Sequence, residues 1–217
     1  MGLLAFAAQG APTVQIKGGQ TSIGLSEELL SEWDVDGCEI SGVKPGVIKP
    51  GVERIRFPVS GGALDLEFLE GEVEHRGGIN IYCATYEDQV TLENFRIDAI
   101  QDEEGEIRPM ITALASLNDS ALKRIDFAAP GGEEFEVLAH GNTVQLRKVS
   151  LFLAEGAREI LGMALGLDLP ANLLVGVANS RINIRKTQGN DDNQPGNGLA
   201  KGKDKNKNEG KKESDDD

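Results

Sequence analysis

Alternation constrains this chain more than any other feature. Along most of its length apolar and polar residues take turns, as they must on a strand with one buried face and one wet face. Val14 and Ile16 begin the pattern, which returns in Ile55, Phe57 and Val59 and again in Leu64, Leu66 and Phe68. It continues through Val73 and His75, Ile79, Ile81 and Cys83, Val90 and Leu92, Phe95, Ile97 and Ala99, Ile111 to Leu117, Phe135 and Val137, Val144 and Leu146, and Ile182 and Ile184. Gly61-Gly62, Gly77-Gly78, Glu104-Gly105 and Gly141-Asn142 fall between these runs, where tight hairpins need positive φ. The phase slips by one residue at Glu93-Asn94 and again at Arg147-Lys148, the mark of a β-bulge. Bulges raise local twist and bend long strands around a core. The predicted fold is therefore mainly β, an antiparallel β-sandwich or partly closed barrel of about ten strands with one or two short α-helices packed on it. Pro45, Gly46, Pro50 and Gly51 predict an irregular crossing before the strands resume.

Two segments leave the two-residue period. Ser26 to Trp33 predicts a short helix, with Ser26 placed to accept from the first free amides and Leu25 and Leu30 spaced as a hydrophobic staple. From Ala154 to Leu165 the apolar positions Ala157, Ile160, Leu161, Ala164 and Leu165 form one helical stripe, and Gly166 is placed to end it. That stripe should dock the helix over one open end or face of the sheet.

The length of 217 residues suits one β domain. Residues 13–185 form the expected domain. Residues 186–217 lack large apolar residues except Leu199, so they predict a disordered, low-complexity charged tail. The tail holds seven Lys and eight Asp or Glu, which leaves fifteen basic and twenty-eight acidic residues in residues 1–185. The acidity belongs to the domain, and it argues against nucleic acid or anionic lipid as partners. Asp191-Asp192-Asn193 lacks the alternating spacing of a calcium loop and reads as part of the tail. Residues 1–12 are apolar and small, like the second half of a secretory signal peptide, or else form a first strand or terminus. No run of eighteen apolar residues predicts membrane insertion.

Cys38 and Cys83 are too few for a disulfide framework and show no C-x-x-C spacing. They form either one bridge in an exported protein or two separate thiols, with Cys83 turned into the core. His75 and His140 are the chain's only histidines, the residue type expected to serve as a base near neutral pH, and neither lies in a recognisable catalytic motif. No enzyme is expected, and no metal site. One Trp and two Tyr, Tyr82 and Tyr86, are a thin stacking platform for neutral sugars.

Gly71-Glu-Val-Glu-His75-Arg-Gly-Gly-Ile-Asn-Ile81, then Val90-Thr-Leu-Glu-Asn-Phe-Arg-Ile-Asp98, then Val149-Ser-Leu-Phe-Leu153 carry a likeness. In that order they resemble the strand pattern of HtaA-like β-sandwich domains, secreted bacterial modules of the haem-uptake type. The likeness spans about Ile55 to Ile184 and rests on short, glycine-driven motifs. It implies haem as the ligand, a Tyr on the iron and a His supporting it; Tyr82, Tyr86 and His75 are the residues at hand. The family's N-terminal Tyr-bearing segment has no counterpart, since Ser26 to Trp33 contains no Tyr. His75 also reads as a strand residue whose ring bonds backbone.

The sequence therefore predicts a non-catalytic, secreted or cell-surface binding or structural module without a cofactor, whose partner is a protein or a component of the cell envelope. The alternatives are a haem carrier and a self-assembling extracellular subunit, the latter if a strand such as Val90 to Ile100 lay at a sheet edge. A monomer is the default.

Overall fold

The computed structural model describes residues 13–35, 37–49, 52–65, 71–101, 107–131 and 135–185. The segments read above as signal remnant and charged tail, the Glu104-Gly105 turn, and Phe68, Pro50 and Gly51 lie outside these residues. The chain divides into two units, Met1–Thr187 and Gln188–Asp217, and every described residue belongs to the first.

In chain order the elements are β1 (Thr13–Leu25), α1 (Glu27–Val35), β2 (Cys38–Val43), β3 (Val47–Lys49), β4 (Val52–Asp65), β5 (Gly71–His75) and β6 (Gly78–Cys83). They continue with β7 (Asp88–Gln101), β8 (Ile107–Leu117), β9 (Lys123–Gly131), β10 (Glu136–His140), β11 (Thr143–Leu153), α2 (Glu155–Leu165) and β12 (Leu174–Arg185). Every pairing is antiparallel, and the order β7-β5-β4-β1-β12-β11-β9-β8 returns to β7, so eight strands close a barrel. β6 and β2 extend outward from β7, β10 pairs with β11 and β3 pairs with β4.

Both predicted bulges are present. The β7–β8 register shifts between Glu93 and Arg96, with Asn94 at φ 50°, and the β11–β12 register shifts between Leu146 and Val149, with Lys148 at φ 58°. Gly61-Gly62 differs from its reading as a hairpin turn. It lies inside the long β4, which runs past a register shift against β5 between Val59 and Gly61. Gly77-Gly78 likewise makes no hairpin: β5 and β6 lie on the same edge of β7 and form one strand broken at Arg76-Gly77. Gly77 has φ 82°, and a Cβ there would stand 2.2 Å from the amide of Gly46, where the loop after β2 crosses. The glycine pair that carries the family likeness thus answers a close backbone crossing. Gly141-Asn142 is the tight turn between β10 and β11 that the sequence predicts.

The strand count exceeds expectation because β3 occupies the predicted irregular crossing, and β2 and β9 fall where no alternating run was read. β7, named above as a candidate assembly edge, is internal: it pairs with β8 on one side and with β5 and β6 on the other.

Both helices form where predicted. Ser26 Oγ accepts from the Leu29 amide at 3.0 Å and caps α1. Gly166, at φ 68°, ends α2 in the left-handed conformation. The stripe Ala157, Leu161, Ala164 and Leu165 is buried, and α2 packs on β7 and β9. One core cluster joins this stripe and Trp33 to Phe57, Phe95, Phe127 and Leu151 inside the barrel; a second gathers Val14, Ile16, Val59, Val73, Val144 and Ile182.

Candidate functional site

Where the two clusters meet, polar side chains cross the inner wall. Thr21 of β1 and Ser180 of β12 are register partners, and each stands in the inward phase of its strand, beside Ile23 and between Ala178 and Ile182. Thr21 Oγ1 lies 2.8 Å from Ser180 Oγ and 2.7 Å from His75 Nε2, and His75 Nδ1 lies 3.2 Å from the Phe95 carbonyl oxygen. All three side chains are buried.

Burial lowers the His75 pKa from 6.5 to about 4, against a smaller opposing pull from the Phe95 carbonyl, so the ring is neutral at neutral pH. The direction of every bond in the chain then follows. A carbonyl accepts only, so Nδ1 carries the proton and Nε2 is an acceptor. Thr21 must donate to Nε2, and Ser180 must donate to Thr21. The lone pairs of Ser180 Oγ are left as the unengaged end of the chain among the described residues.

This chain faces an apolar cleft of about 130 Å³. Its deep walls include Phe57, Phe95 and Phe127, with ring centroids 5.0 Å apart for the first pair and 5.3 Å for the second, the latter edge to face. Ile97, Pro109, Ile111, Pro130, Val149 and the half-exposed Phe135 line the outer part. There β9 pairs with β8 only as far as Ile111, while β8 runs back to Ile107, so the wall has a gap in its ladder beside the cleft.

Of the residues singled out from sequence, the structure brings Cys38 and Cys83 together: they are register partners on β2 and β6 and form a disulfide. His75, Tyr82 and Tyr86 are not brought together. His75 points into the barrel, with both ring nitrogens engaged. Tyr82 is exposed on β6, between the inward Ile81 and Cys83. Tyr86 lies in the β6–β7 turn, with its ring against Gly166, where a Cβ would fall 2.3 Å from it. A haem needs its iron ligand and supporting group around one space, and the cleft is well below the roughly 300–1,000 Å³ of drug-sized pockets. These three residues therefore do not fit a haem. Among the described residues no group of three or more His, Cys, Asp or Glu could hold a metal ion. Among the described residues no helix is long and apolar enough to cross a membrane.

Thr21 and Ser180 escaped the sequence reading. The signal was a polar residue in the inward phase of a strand, visible only once the neighbours' phase is known.

No family model matches the chain, and no curated protein matches it. Among solved structures it is similar to the C-terminal domain of HtaA from Corynebacterium glutamicum, with a TM-score of 0.56, 9% identity, and coverage of 79% of this chain and 99% of that one. The likeness read in the glycine-rich strands is thus one of fold: this chain has the fold of that HtaA domain.

Proposed function

We propose that this chain is a non-catalytic, exported binding module whose barrel cleft takes a small apolar molecule bearing one hydrogen-bond donor. The observation that carries the reading is the directed chain His75–Thr21–Ser180, which ends in an acceptor at an otherwise apolar cleft. Small-molecule sites are typically apolar with a few placed polar groups. The volume matches one aromatic ring, since an apolar cavity of about 150 Å³ holds benzene. Export is supported by the disulfide, because bridges of this kind persist in oxidising compartments. The fold shared with the HtaA domain supports a binding role in general.

Calorimetric titration with indole and with benzene tests the reading. Both bind saturably to the native protein, and Val149→Phe, which fills the cleft, abolishes both. Ser180→Ala weakens indole by about five- to tenfold, the worth of one neutral hydrogen bond, and leaves benzene unchanged. Equal binding in Val149→Phe would refute the cleft. Hemin goes through the same series: a Soret shift lost in Tyr82→Ala or Tyr86→Ala would replace this reading with haem carriage.

A further inference from the structure

The outer surface of the barrel carries a charge separation that the cleft does not explain. β1, β11 and β12, which are neighbours in the wall, hold five of the fifteen basic residues of residues 1–185 and none of the twenty-eight acidic ones. Lys17, Arg147, Lys148, Arg181 and Arg185 are all exposed. The next strand, β4, adds exposed Arg54 and Arg56, whose register partners on β1 are Gly24 and Ser22. Across the barrel the pattern is the ordinary one for an acidic protein, with Arg96 of β7 held by Asp98 at 2.8 Å and Glu72 at 3.2 Å.

A shallow basin of about 560 Å³ occupies this basic face, and its lining includes Gln20, Gln145, Arg147, Asn179, Arg181 and Asn183. Internal bonds engage the acceptors of two of its amide side chains. Asn179 Oδ1 accepts from the Lys148 amide at 3.2 Å, a contact set up by the bulge. Gln145 Oε1 accepts from Arg147 Nε at 3.1 Å and Nη2 at 2.6 Å. What Asn179 and Gln145 have left to offer are NH₂ donors, beside two guanidiniums. Glu136, the β10 register partner of Arg147, is ion-paired to Lys148 at 2.6 Å. Arg181 has no ion-pair partner among the described residues.

We infer that this basin binds an acidic polysaccharide. Carboxylate oxygens take the Arg181 guanidinium and the Nη edge of Arg147 that faces away from Gln145, and hydroxyl and ring oxygens take the amide donors. The six residues named include no aromatic side chain on which a nucleobase would stack. The net charge of −14 repels an extended anionic surface such as a duplex or a bilayer. A single flexible chain can lie in the basin, away from the acidic remainder of the domain.

The test is binding of polygalacturonate to the full chain at 50 mM and 150 mM salt, with dextran as the neutral control. Binding is expected for polygalacturonate only. Arg147→Gln with Arg181→Gln should weaken it at least tenfold and reduce its salt dependence. Arg158→Gln, on α2 and outside the basin, should leave it unchanged. Because the substituted side chains are exposed, unchanged thermal unfolding of the double variant verifies that the fold is intact. No binding at 50 mM salt, equal weakening by Arg158→Gln, or tighter binding of single-stranded DNA or of phosphatidylglycerol vesicles would overturn the inference.

Discussion

The helix-covered half of the barrel and the seam at His75 are built on the same strands for different ends. Around Leu161, Leu165 and Leu173 every inward residue is apolar and almost fully buried, and α2 completes the packing. One register step along the same walls, Thr21, Ser180 and His75 replace aliphatic residues, and a cleft remains beside them. A polar chain there forgoes hydrophobic burial and must be satisfied internally to be tolerated. The first region holds the fold; the second tolerates space because the first is so well packed.

The difference can be attacked from both sides. The largest effect belongs to the covered half: Leu161→Asp abolishes folding and Leu161→Ala costs roughly 2–5 kcal/mol, read by urea unfolding with the single, buried Trp33 as fluorophore. Removing the Cys38–Cys83 bridge, which closes a separation of 45 residues, costs about 2–4 kcal/mol by the same assay. If Cys38→Ser with Cys83→Ser unfolds at the native urea midpoint, the bridge does not stabilise the domain.

The seam should show itself in pH dependence. The folded pKa of His75 is about 4 against 6.5 when free, so the neutral ring's contribution is complete above pH 6.5 and is lost as pH falls toward 4. That loss is about 3 kcal/mol over the window. His75→Gln should flatten the slope of stability between pH 6.5 and 5, and an unchanged slope would show that His75 is not the group responsible. The smallest effect is the sharpest contrast: Val149→Phe, which grows into the cleft, costs less than about 1 kcal/mol, whereas Ala157→Phe in the packed half costs about 1–3 kcal/mol or more. Equal penalties would mean that the two halves are packed alike.

Much of this architecture was legible. Alternation gave the β class, and the phase slips at Glu93-Asn94 and Arg147-Lys148 located both bulges, because a bulge inverts the sidedness of everything after it. The stripe of α2 gave its docking face. Gly61-Gly62 misled because a glycine pair serves a mid-strand bulge as well as a turn, and the register that distinguishes them is set by a partner strand. β9 was missed because Ile125 and Phe127 supply only two alternating positions before Ala128-Ala129-Pro130. The cysteine pairing could not be read from spacing, since it depends on β2 lying against β6. The site was the least legible part: Thr21 and Ser180 are 159 residues apart and become a pair only when β1 meets β12.

The central claim is that the seam at His75 is a ligand site, and the ring nitrogens of His75 report on it directly. Histidine ¹⁵N spectra at pH 7 should show a neutral ring protonated on Nδ1, whose Nε2 resonance moves saturably as indole is added and stays still in Val149→Phe. An Nε2 resonance unmoved by indole, with perturbations gathered on the outer surface instead, would contradict the account.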